Sequence, residues 1–221
     1  WPRLPREELS LAPARSHGAT ARKYALNGQP VIRFGTDDFM SLANLALLRN
    51  ITSLTFLSVS KHTSYTKSRY LLAYSRGGST CSGRFLFGEN PGANGVGVLA
   101  RRIDAETYST VVANTTLNQF TILSALVDYT NARGVLYERG STVAVNESFT
   151  SPGVSSDTDS DLAQIGLFTG SFFSNDLAEM LIYVPALSDA QRQRVDRVAP
   201  LGRQPGRNHR GEDPAGTEGD E

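Results

Sequence analysis

Turn dipeptides recur through the middle of this chain at a density that few folds tolerate. Asn27-Gly28, Gly77-Gly78, Pro91-Gly92, Asn94-Gly95, Arg133-Gly134, Arg139-Gly140 and Pro152-Gly153 are separated by runs of strand length. Glycine and asparagine reach the left-handed backbone that reverses a chain tightly, and proline fixes φ at a turn. Punctuation this close leaves little room for the crossover helices of βαβ units. It predicts an all-β sandwich or barrel.

The runs between the turns alternate. Tyr70, Leu72 and Tyr74 share one face of 69–75, and Phe85 with Phe87 and Val96 with Val98 repeat the pattern. Leu123, Ala125, Val127 and Tyr129 share another face. Met180, Ile182 and Val184 lie opposite Glu179, Leu181 and Tyr183. Period two marks a strand with one buried face. In 54–59, Leu54 and Phe56 oppose Leu57 and Val59, which predicts a central strand covered on both sides. One helix is predicted near the end. Ser188 and Gln191 form a capping box, Asp189 and the arginines 194 and 197 complement the dipole, Val195 and Val198 form a thin apolar stripe, and Pro200 stops it.

Residues 1–26, with Pro2, Pro5 and Pro13 and no sustained period, read as a loose arm. The sandwich is expected over 27–201. The segment 202–221 lacks any aromatic or large aliphatic residue, so it is expected to be disordered, His209 with it. A chain of 221 residues buries roughly 70% of its unfolded surface, so the fold requires no staple. Cys81 is the single cysteine, which excludes an intrachain disulfide framework and reads as a small buried or loop residue. The chain starts at Trp1 without a signal-peptide pattern, as a fragment or processed product does. Basic and acidic residues balance at 22 each, with no basic stripe, so no nucleic-acid partner is expected. Arg101-Arg102 reads as a solvated strand end. No apolar run approaches the roughly 18 residues of a membrane helix, so no membrane insertion is expected.

Three stretches in order resemble the laminin G-like branch of the concanavalin A-like lectin/glucanase superfamily. Leu26–Phe39 (LNGQPVIRFGTDDF) looks like the family's opening strand and its Gly/Asp turn. Phe120 through Val145, with Gly134–Gly140 (GVLYERG), is similar to its paired strands around a Tyr-x-Asn-Gly hairpin. Phe173, Glu179–Tyr183 and Ala186–Arg192 are similar to its last long strand and closing helix. The resemblance spans about 27–200 and implies an antiparallel jelly-roll β-sandwich with one short C-terminal helix. Two positions depart from the pattern. Phe34 runs straight into Gly35, and Arg139-Gly140 replaces the Asn-Gly of a type I′ turn, so another turn geometry is expected there.

The superfamily includes glucanases, so catalysis has to be read from residues. The Glu-x-Asp-x-x-Glu strand motif of those relatives is absent, and Glu179 has no acidic neighbour at 177 or 181. His62 beside Tyr65 reads as a loop pair rather than a lyase constellation, and no G-x-S-x-G elbow occurs. The expectation is a protein that is not an enzyme.

Binding features each carry two readings. Asp157, Asp159 and Asp161 alternate in a Ser/Asp loop, which invites a calcium (Ca2+) site. Leu162 and Phe168 break the EF-hand pattern, and a solvated acidic loop explains the same residues. Asp37 and Asp38 follow the first family-like strand and suit either ligand contact at a rim or local turn capping. Tyr65 and Tyr108 are loop aromatics that suit sugar stacking or packing onto a neighbouring strand, with Phe172-Phe173 a third pair. Asn50, Asn114 and Asn146 begin chance-level N-glycosylation patterns. Together these features predict a non-catalytic carbohydrate-binding or adhesion module, extracellular, at a cell surface or on a virion. The alternatives are a structural module with protein partners in a phage or surface-appendage assembly, and a divergent glycan-active hydrolase.

Overall fold

The alternating runs fold as strands. The computed structural model describes residues 16–17, 20–26, 29–42, 45–65, 68–75, 83–90, 95–158 and 162–198. The first eight strands are β1 (Ser16–His17), β2 (Thr20–Leu26), β3 (Gln29–Arg33), β4 (Phe39–Ser41), β5 (Ser53–Lys61), β6 (Arg69–Ser75), β7 (Gly83–Asn90) and β8 (Gly95–Ala100). The next five are β9 (Ser109–Ala113), β10 (Phe120–Asp128), β11 (Arg133–Glu138), β12 (Ser141–Asn146) and β13 (Leu162–Ile165). Then come β14 (Leu167–Phe168), β15 (Ser171–Phe172), β16 (Asp176–Tyr183) and the helix α1 (Asp189–Val198). Two seven-stranded sheets, β1-β4-β13-β6-β7-β8-β9 and β12-β11-β10-β5-β16-β3-β2, carry the fold, with β14 and β15 as a separate hairpin. All pairings among the described residues are antiparallel. The protein is an all-β jelly-roll sandwich closed by one helix. β1 and β2 arise within the span read as a loose arm, so pairing into both sheets begins before Asn27. Residues 1–15, Cys81, Pro200 and 202–221 lie outside the described residues.

The inter-sheet core follows the predicted faces. Phe85, Phe87, Val96 and Val98 from one sheet meet Leu54, Phe56, Leu123, Ala125 and Val127 from the other. β5 is covered on both sides, as its double pattern requires. Leu54 and Phe56 enter this core, while Leu57 and Val59 pack on the opposite face with Ile122 and Val195 of α1. The capping box forms: Ser188 N donates to Gln191 Oε1 at 2.9 Å, and Gln191 N donates to Ser188 Oγ at 3.4 Å.

Two details differ from the sequence reading. A register shift between Tyr70 and Leu72 turns Tyr70 away from Leu72 and Tyr74, so its ring packs outside the sheet, edge-on to Phe168 at 5.4 Å. A bulge of this kind inserts one residue and reverses the alternation beyond it. The β11–β12 turn also keeps type I′ geometry despite its arginine, with φ of 50° at Arg139 and 82° at Gly140. Only the primed turns match the strand twist in a two-residue hairpin, so the twist overrides the residue preference. Arg139 is held there by its amide, 2.9 Å from Ile122 O, and by Nε, 3.4 Å from Thr121 Oγ1. A left-handed backbone costs a non-glycine residue about 1–2 kcal/mol. Arg139→Asn should recover up to about 1 kcal/mol of that, which a urea unfolding curve would register as a higher midpoint. A lower midpoint would mean the Thr121 contact outweighs the backbone term.

Candidate functional site

Strand directions place the loops at two ends of the sandwich. Residues 34–38, 62–65, 114–119, 139–140 and 169–175 gather at one end; 101–108, 129–132 and 147–158 gather at the other. The predicted ligand residues therefore divide. Asp37, Asp38 and Tyr65 sit at the first end, and Tyr108 and Asp157 at the second.

Their environments differ as well. Asp37 is exposed. Asp38 is buried, and its Oδ2 accepts the Gly35 amide at 2.6 Å, which is turn chemistry. Tyr65 packs its ring on the core and donates its hydroxyl to Thr115 O at 2.6 Å. Burial pushes that hydroxyl above the ordinary phenol value although the Thr115 bonds act in the other direction. Tyr108 is 45% exposed. Asp157 is exposed and lies 3.3 Å from Arg49 Nη2. Asp159 and Asp161 lie outside the described residues, and no group of three metal-ligating side chains occurs among the described ones. Phe173 is a core residue, edge-on to Phe34 at 5.9 Å.

Each end is tied by a buried polar network. At the first, His62 is fully buried, with Nδ1 3.2 Å from Glu89 Oε1 and Nε2 3.1 Å from Ser60 Oγ. Asn175 donates to the same Glu89 oxygen at 2.9 Å and accepts Thr63 Oγ1 at 2.8 Å. His62 thus joins the two sheets instead of lying in a solvent loop. At the second end, Asp104 gathers two buried arginines. Arg84 Nε is 3.1 Å from its Oδ1, and Arg101 Nη1 donates to its carbonyl at 2.6 Å. Arg84 also bonds the Thr158 carbonyl, and Thr158 Oγ1 donates to Asp104 Oδ2 at 2.7 Å. Arg101, expected at a solvated strand end, is buried because its neighbours supply these acceptors. Most of these polar atoms meet partners from neighbouring segments, but Glu89 Oε2 is buried without a hydrogen-bond partner among the described residues. They position loops and offer no open chemistry.

An open site forms where α1 folds back over the β11–β12 turn. It is a cleft of about 590 Å3 with Ile122 and Asp196 from β10 and α1, Arg139, Gly140 and Ser141 from the turn, and Gln193 and Arg197 from the helix. That volume falls within the roughly 300–1,000 Å3 of small-ligand pockets. Behind the cleft, Arg192 lies 3.6 Å over the Tyr137 ring and donates to Asp196 Oδ2 at 2.9 Å. A cation over an aromatic face is attracted by the ring quadrupole, which helps dock the helix. Ser124 Oγ donates to Asp196 Oδ1 at 2.8 Å. Burial pushes the Asp196 carboxyl above its ordinary value, against the pull of Ser124 and Arg192.

Among the described residues lining the cleft, Asp196 is the only carboxylate, and both its oxygens are engaged. Glycoside hydrolysis uses two, roughly 5–5.5 Å apart when configuration is retained. Glu179 sits half-buried on β16, outside the cleft. The arrangement instead offers guanidinium, amide and hydroxyl groups beside a single apolar side chain, Ile122. Sequence reasoning missed this site because its residues come from three separate segments. The available signals were the capping box and the turn arginine.

No protein-family model matches the chain, and no curated protein is similar to it in sequence. Solved structures share its fold. A heptameric SAP-like pentraxin from Limulus polyphemus is similar with a TM-score of 0.55 at 15% identity, over 75% of this chain and 80% of that one. The CBM40 of the Ruminococcus gnavus IT-sialidase, bound to α2,3-sialyllactose, reaches 0.57 at 18%, over 80% of this chain and 98% of that one. Domain 4 of the extracellular arabinanase AbnA from Geobacillus stearothermophilus, in complex with arabinotriose, reaches 0.53 at 12%, over 81% and 82%. The fold is the concanavalin A-like jelly roll that the sequence resemblance implied.

Proposed function

We propose that this chain is a non-catalytic carbohydrate-binding module of a secreted or surface-displayed protein, within the laminin G-like branch of its fold. The observation that carries the reading is the cleft beside α1, which combines several hydrogen-bonding side chains with the apolar Ile122 and a single, fully engaged carboxylate. Sugars present hydroxyls and C–H faces together, and such a lining meets both. Support also comes from the fold, since two of the similar structures hold oligosaccharides. Asp37, Asp38 and Tyr65, at the same end of the sandwich as the cleft, are proposed as further ligand contacts, and Tyr108 as a separate contact at the opposite end, with Tyr108 and Asp37 the more accessible.

A glycan array followed by calorimetry tests this reading. We expect selective binding to at least one glycan class, and Gln193→Ala should weaken it about tenfold, as loss of one productive hydrogen bond does. Silence across a broad panel would sink the reading. Asp157 already faces Arg49, so binding is expected to survive calcium chelation. Loss on chelation would instead give the acidic loop a metal role.

A second reading, as an assembly module, has one specific observation. β12 is an edge strand, and it exposes Val143 and Val145. Exposed apolar edges template pairing with another chain. Light scattering decides: a multimer that Val145→Lys dissociates would favour assembly.

A further inference from the structure

We propose that the cleft beside α1 selects an acidic sugar, with Arg139 and Arg197 receiving its anionic substituent. This rests on the glycan-binding reading and narrows it to a ligand class.

The case is one of charge compensation. Most buried or half-buried arginines nearby have carboxylate partners: Arg192 has Asp196 at 2.9 Å, and Arg133 has Glu147 at 3.0 Å. Arg139 and Arg197, both exposed, line the cleft, and neither makes an ion pair among the described residues. Asp196 does not neutralise them, because its carboxylate is occupied by Arg192 and Ser124. The cleft therefore carries two arginines that no carboxylate in its lining pairs, with Glu138 reaching Arg139 only through the shared Thr121 hydroxyl, in a chain whose total charge is zero. A net-basic protein would show such a patch by composition alone; here it is local.

The geometry of the turn adds to this. Arginine stands at a left-handed position that asparagine fills more easily, and its guanidinium is thereby held at the cleft mouth by Thr121. Guanidinium groups bind carboxylate or sulfate through paired N–H donors, in a fixed planar geometry that a lysine lacks. Ser141 and Gln193 remain for the sugar hydroxyls, and Ile122 for a C–H face. Arg197 also complements the C-terminal end of α1, but that role asks for no second arginine from the opposite wall.

The test is calorimetric titration of the full chain with four probes: 3′-sialyllactose, a glucuronate-terminated disaccharide, 3′-sulfolactose and neutral lactose. At least one anionic probe should bind about tenfold or more tightly than lactose. The carboxylate and sulfate arms show which substituent is preferred. Arg139→Asn and Arg197→Gln should each remove most of that preference. Asparagine suits the turn and Arg197 is exposed, so both variants should keep the wild-type circular dichroism. Anionic probes no better than lactose, or a double variant that keeps the preference, would overturn the inference. Binding confined to neutral glycans would overturn it too, yet leave the carbohydrate-binding reading standing. Failure of every sugar would take down both.

Discussion

Replacing Gly97 by valine is expected to cost about 3 kcal/mol or more and to release the edge strand β9. Gly97 lies in β8, directly across from Val112 of β9 and Gly88 of β7. A Cβ built on it would stand 2.2 Å from Val111 O and 2.8 Å from Val112 Cα. Both obstacles are backbone, so no rotamer change relieves them; the two strands have to part. Val111 on β9 belongs to the inter-sheet core, so parting them opens the apolar interior as well. The loss should reach the candidate site, since β9 packs against β11 and β12, and Asn146 Nδ2 donates to Thr110 O across that contact at 2.9 Å. Urea unfolding followed by far-ultraviolet circular dichroism measures the effect. A variant within about 1 kcal/mol of the parent would show that β8 and β9 separate freely, contrary to the packing described.

The fold was legible where a residue's burial depends only on its own strand. Leu123, Ala125 and Val127 alternate toward the core because nothing interrupts β10, and the double pattern of 54–59 reported a strand with a sheet core on one side and a helix on the other. Tyr70 was misplaced because a bulge is a local slip, and the letters on either side of it look the same whether or not the slip occurs. The Arg139 turn shows the reverse situation. Its sequence argued against type I′, but hairpin twist is a property of two strands together and decided the geometry.

Buried charge was the least legible feature. His62, Glu89, Arg84 and Arg101 occupy strand or strand-end positions where a polar residue ordinarily signals solvent. Arg101 meets Asp104 three residues on, whereas Glu89 and Arg84 are buried with partners from distant segments, Asn175 and Thr158. The cleft has the same origin. Arg139, Gln193 and Arg197 meet only after α1 packs over β10, and no periodicity within one segment encodes that meeting. The loop tyrosines and aspartates that stood out in the sequence are partly spent on the fold itself. Asp38 caps Gly35, and Tyr65 ties its loop to Thr115.

Removing the Asp104 side chain should have the other large effect, a loss of about 3 kcal/mol for Asp104→Ala. Arg84 and Arg101 are only 3% and 4% exposed, so removing the carboxylate takes the nearest counter-charge from two buried guanidinium groups. Stranding one member of a buried pair costs about 3–5 kcal/mol, and the lower value applies because Asp104 itself is 35% exposed. The double change Arg84→Met with Asp104→Ala should recover part of the loss, since an apolar chain tolerates that burial. Acid provides an independent check. Burial alone would raise the Asp104 carboxyl, but the Thr158 hydroxyl and the Arg84 and Arg101 charges outweigh it and hold the group below its ordinary 3.8. The unfolded chain then takes up this proton first as pH falls. The stabilisation is complete above the ordinary carboxyl value and is lost as pH drops through the window beneath it. Thermal midpoints followed down through that window should fall less steeply for Asp104→Ala than for the parent. Parallel acid limbs in the two proteins would mean that Asp104 is not held in its ionised form by these partners, and the account of this end of the sandwich would have to be abandoned.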